Sequence, residues 1–193
     1  MFTRAQQMKI QRNMPMKDQD GNWTPLAKRL IWEKAPYADN NHPEYGKNDP
    51  CKASIKEECY GDRGSYHGWE IDHIIPEKVL NDAGVPQELI DDIDNLRPMH
   101  WRNNAKKSDD FPQYGGIVSA IGDTNFEVSR DYQVNRDQTN VLRELYKEYL
   151  DIPHPTVLGQ WQAMIDRENV PTGRVPAVFF DDIVTPSIHD IDD

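Results

Sequence analysis

Cysteine is scarce: the 193 residues hold only Cys51 and Cys59, eight positions apart. One pair cannot build a disulfide framework, and so low a content suits a reducing compartment, with a Cys51–Cys59 bridge left open. Long apolar runs are missing too. No stretch approaches the roughly 18 residues of a membrane-spanning helix, and no segment near the start has the form of a signal peptide. A cytoplasmic location with no membrane partner is expected. Positive charge is also short: 22 Lys and Arg face 33 Asp and Glu, a net charge of −11. A protein that grips a polyanion should present cations to it, so any such grip must be local.

The deficit is in fact uneven. Residues 1–36 carry net +4 and residues 151–193 net −6, while the short run 97–107 holds Arg97, Arg102, Lys106 and Lys107 with no acid. That run closes the most informative stretch of the chain, Trp69 to Asp109. It opens with Trp69-Glu-Ile-Asp-His-Ile-Ile-Pro76, passes through Asp94-Asn95-Leu96, and ends on Trp101-Arg-Asn-Asn-Ala-Lys-Lys107. An apolar strand delivers adjacent Asp72 and His73, a second short strand follows Asn95, and a helix beginning near His100 carries Asn104. His is the side chain whose ordinary pKa suits proton transfer near neutral pH. A carboxylate and an amide oxygen suit a hard cation such as Mg²⁺, and nearby Lys and Arg suit phosphates. Consecutive strand residues face opposite sides. Asp72 and His73 can therefore share one site only if the strand ends or bends there, which Pro76 favours.

At these residues the sequence resembles the HNH nucleases, also called ββα-metal or His-Me finger nucleases. Asp72-His73, Asn95 and Asn104 match the family's three-part pattern, and the wider string looks most like small stand-alone bacterial and phage members. The resemblance covers roughly residues 30 to 112. It implies a metal-dependent endonuclease that hydrolyses DNA phosphodiester bonds, nicking one strand per active site. In that reading His73 is the general base, Asp72 and Asn104 hold Mg²⁺, Mn²⁺ or a similar ion, and Asn95 fixes the loop that carries His73. Arg97, Arg102, Lys106 and Lys107 then meet phosphates. The paired Cys-x-x-Cys motifs of many members have no counterpart, since His100 and Asn103 stand at two of the corresponding positions, so no structural zinc is expected. The competing expectation is a non-catalytic HNH-derived structural or interaction protein, such as a phage component, that binds a protein partner.

The expected architecture is α+β: a ββα-metal core with an N-terminal helix and an appended mixed C-terminal region. Residues 1–22 read as a mobile basic arm, either a frayed terminus or an electrostatic tether to DNA. Residues 23–112 read as the nuclease domain, and 113–193 as the appended region with an acidic tail. Thr24-Pro25 gives a helix start running to about Ala35, and a short strand is expected near Ala53 to Ile55. Asp91, Asp92 and Asp94 read as part of a solvated loop, with added metal ligands as the alternative. Residues 117–134 suggest a hairpin and 137–150 a helix, with a further helix from Thr156. The tail, 181–193, is expected to be solvated, to dock on a protein or to compete with DNA for the cationic helix.

Overall fold

Thr24 opens the first helix, accepting a hydrogen bond from the Ala27 amide at 3.2 Å, and Pro25 takes the first helical position, where its missing N–H costs nothing. In the computed structural model, which describes residues 15–39 and 42–153, this helix is α1 (Pro25–Trp32). It buries Leu30, Ile31 and Trp32 and ends three residues short of the expected Ala35. Beyond its end the Lys34 ammonium bonds the carbonyls of Ile93 and Leu96, fastening the helix exit to the later hairpin. The expected basic arm is in part structured: Met16 is buried and residue 17 bridges residue 23, while residues 1–14 lie outside the described residues.

The short antiparallel pair β1 (Lys47–Asn48) and β2 (Ser54–Ile55) follows. Then comes β3 (Trp69–His73), two short helices α2 (Glu77–Asp82) and α3 (Gln87–Ile90), and β4 (Leu96–His100). β3 and β4 pair antiparallel, with Trp69 opposite His100 and His73 opposite Leu96. β4 passes directly into α4 (Trp101–Lys107), capped by the His100 side chain. The last described elements are the hairpin β5 (Gln113–Ile121) and β6 (Thr124–Gln133) and the helix α5 (Arg136–Tyr146). The architecture is thus mixed α+β, with three two-stranded antiparallel sheets among the described residues.

Two apolar clusters hold these elements. One packs α1 against Trp69, Ile71, Ile93 and Leu96 of the β3–β4 unit. The other joins Cys51, Ile74, Ile75, Leu80 and Met99 to Tyr114, Val134, Leu142, Tyr146 and Ile152. Residues 113–152 therefore share a core with the segment whose pattern resembles a nuclease. Gly116 permits this close approach, since a Cβ there would lie 2.5 Å from the Tyr132 ring and 2.9 Å from Cys51 Sγ. Both cysteines are free thiols. Asn103 stitches α4 to β5: its carbonyl accepts from the amides of Ile117 and Val118 at 2.9 Å, and its amide donates to Val118 O and to Asp49. No helix of the described residues is long and apolar enough to cross a membrane. The helix expected from Thr156 and the acidic tail lie outside the described residues.

Candidate functional site

β3 stays regular to its last residue. Asp72 pairs with Arg97 and His73 with Leu96, so the two consecutive side chains leave the strand on opposite faces. The bend that would have gathered them into one site is not there.

On one face Asp72 is 3% exposed and lies between two cations. One oxygen accepts from Arg97 Nε at 2.7 Å and the other is 3.1 Å from Lys107 Nζ. Arg97 also donates to the Tyr114 hydroxyl at 3.2 Å. Burial works against the Arg97 charge, but the Asp72 carboxylate beside it outweighs that and raises its pKa. Burial pushes the Lys107 ammonium the other way, below the usual lysine range, with Asp72 offsetting part of the effect. Two expectations change here. Arg97 and Lys107, assigned to DNA phosphates, are buried partners of Asp72 and present nothing to a ligand. Asp72, with both oxygens engaged by buried cations, does not fit the role of a metal ligand in this arrangement, because a divalent ion would sit beside two like charges.

On the other face His73 Nε2 is 2.9 Å from Asp91 Oδ1, and its ring is 5.8 Å from that of Trp23. Asp91 is held in turn by Lys17 at 3.0 Å and Gln87 at 2.9 Å. Burial pushes the Asp91 carboxyl up, but the bonds from His73, Gln87 and Lys17 outweigh it and bring the acid below its ordinary range. An ionised carboxylate only accepts, so Nε2 is the donor in this pair. Asp91 had read as part of a solvated loop. It is instead buried and aimed at the candidate base, and it is brought there by α3, whose last turn it follows.

Asn95, immediately before β4, is fully buried. Its carbonyl accepts from Ile75 N at 2.9 Å, and its amide donates to Ile75 O at 3.2 Å and Ile90 O at 3.1 Å. Three bonds from one side chain thus pin the segment that follows His73 to the end of α3. Asn104 is half-buried on α4 and donates to Glu70 Oε2 at 3.1 Å, so its partner is Glu70 and not Asp72. Glu70 also takes a two-pronged contact from Arg63 at 2.6 and 3.2 Å. The signal for Glu70 was available: two positions before Asp72, it shares that residue's strand face. Arg102 reaches the surface and pairs with Glu127 at 2.8 Å, and Lys106 is exposed. Of the four expected phosphate-binding cations, then, Arg102 and Lys106 are placed to meet a ligand.

Beside this edge lies a cleft of about 260 Å³ between residues 63–66, the start of α4 and residues 125–127. A cavity of about 500 Å³ along α5 contains none of the residues of the Asp72–Asn104 pattern. No family model matches the chain, and neither the curated proteins nor the solved structures yield a match.

Proposed function

We propose that this protein is an HNH-type endonuclease that hydrolyses phosphodiester bonds in DNA, built on a ββα-metal core formed by β3, β4 and α4. The observation that supports this most is the state of His73. Its imidazole sits at the end of β3, oriented through Nε2 by the ionised Asp91, with the loop after it fastened by Asn95. Nδ1 takes a proton from water, and the resulting hydroxide attacks phosphorus and displaces a sugar oxygen. Proton transfer of this kind supplies about 10²–10⁴-fold in rate. The resemblance implies a divalent ion, which would neutralise charge on the phosphate and for which Asn104 is the remaining expected ligand. As the residues stand, Asp72 is not its ligand. One such site cuts one strand, so a monomer nicks.

A second reading is favoured by one observation: the Asp72 carboxylate is wholly taken up by Arg97 and Lys107. That is what a fold retained for binding a protein partner, without catalysis, would show. Cleavage of supercoiled plasmid by the full chain in Mg²⁺, in Mn²⁺ and in EDTA, beside His73→Ala, separates the two. Metal-dependent nicking that falls at least about 100-fold in His73→Ala supports the nuclease. Absence of cleavage under all conditions moves the conclusion to the binding protein.

A further inference from the structure

The cleft beside α4 has a composition that neither the base nor the buried ion cluster uses. Tyr66 and Phe126 are 59% and 40% exposed, an unusual position for large aromatic side chains, and both line it. Trp101 forms a third wall, and Arg63 and Arg102 stand at its rim. We propose that this cleft receives an unpaired base of a DNA strand, stacked on the aromatic side chains, while Arg63 and Arg102 take the phosphates on either side of it.

Size, rigidity and charge argue for that occupant. At about 260 Å³ the cleft lies below the roughly 300–1,000 Å³ of sites that enclose a free small molecule, so it accepts one flat group of a longer ligand. Its walls are held in place. Asn125, 2% exposed, donates to Tyr66 O at 2.7 Å and to Ser54 O at 2.9 Å, and the Tyr66 hydroxyl donates back to Asn125 O. Trp101 Nε1 donates to Ser65 O at 3.3 Å, and the His100 ring stacks on Trp101. A base therefore meets surfaces that are already ordered, and the ordering cost of binding is low. The two arginines pair with surface acids, Arg63 with Glu70 and Arg102 with Glu127. Exposed pairs of this kind contribute little, so exchanging a carboxylate for a phosphate costs little. Aromatic faces with flanking cations are how proteins hold single strands, whose bases are free to stack, whereas a paired base in a duplex has both faces covered.

The proposal deepens the nuclease reading and rests on it for the choice of a polynucleotide, but it is tested without cleavage. Fluorescence anisotropy with the full chain in EDTA compares a labelled single-stranded DNA 20-mer with the same sequence as a blunt duplex. The single strand is expected to bind more tightly. Phe126→Ala should weaken single-strand binding about 5- to 100-fold and leave duplex binding within twofold. Arg102→Gln should weaken both, and Lys147→Gln, an equal charge change on α5, should alter neither. If Phe126→Ala and Arg102→Gln bind the single strand as the wild type does, the cleft is not a base site. Equal binding of the two DNA forms overturns it as well. Plasmid nicking lost with single-strand binding intact would sink the nuclease reading and leave the cleft standing.

Discussion

Asp72 and His73 are joined by one peptide bond and live in opposite surroundings. Asp72 faces α4 in a dry pocket with two cations and a phenol. His73 faces the turn around Trp23 and an acid delivered from α3. One side chain is locked between two buried cations, and the other meets a single acid through Nε2. In a strand the pleat decides which group goes where, so a dipeptide that reads as one functional unit is divided between two.

The sharpest way to break this comparison is Asp72→Ala. Removing the carboxylate leaves Arg97 and Lys107 buried without a counter-charge, and urea unfolding should show a loss of about 3–5 kcal/mol. Unchanged stability with lost metal response would make Asp72 a ligand after all and erase the contrast. The buried side holds a second acid, Asp49, which accepts from the amides of Cys51, Ala53 and His100 and from Asn103, and whose pKa burial pushes up to about 6. An acid with a raised folded pKa gives stability that is fully present below its unfolded value near 4 and is lost as pH rises through 6. Relative to Asp49→Asn, the wild type should therefore lose up to roughly 3 kcal/mol between pH 4 and pH 7. Unfolding curves of the two proteins that run parallel in pH would contradict that.

On the His73 side the expected effects are smaller in stability and larger in rate. Asn95→Ala strips three partners from Ile75 and Ile90 and should cost about 1–3 kcal/mol, read by thermal or urea unfolding. Asp91→Asn should lower the unfolding midpoint modestly, since the bonds that hold the carboxylate ionised are stabilising, and should lower the nicking rate about tenfold with DNA affinity constant, because an amide offers Nε2 a weaker hold than a carboxylate. A variant as fast as the wild type would reduce the Asp91 contact to packing.

Much of the framework was legible in the chain. Thr24-Pro25 set the start of α1, the apolar run from Trp69 set β3, and Gly122-Asp123 between alternating residues set the last hairpin. These are local signals, decided by caps, periodicity and turn chemistry within a few residues. Burial of charge was not legible. Arg97 and Lys107 read as surface cations because composition counts sign without depth, and only the tertiary packing of β5 and Tyr114 over them makes them internal. Asp91 was hidden for the converse reason, since an acid among acids in a Pro-bounded stretch looks solvated until α3 turns it inward. The strand period placed Glu70 on the Asp72 face, but its partners, Arg63 and Asn104, lie 7 and 34 residues away on either side and could not be read from that period.

Lys107 gives its ammonium to the His73 carbonyl at 2.9 Å as well as to Asp72, and the next amide, Ile74 N–H, donates to Asn95 O at 2.8 Å. The backbone at His73 is thus clamped from both sides by buried groups. In amide hydrogen exchange, Ile74 should belong to the slowest class and open only with the whole molecule. The His73 end of the strand would then have no local breathing of its own, and any adjustment there would fall to the His73 ring and to the chain around Lys17 and Trp23.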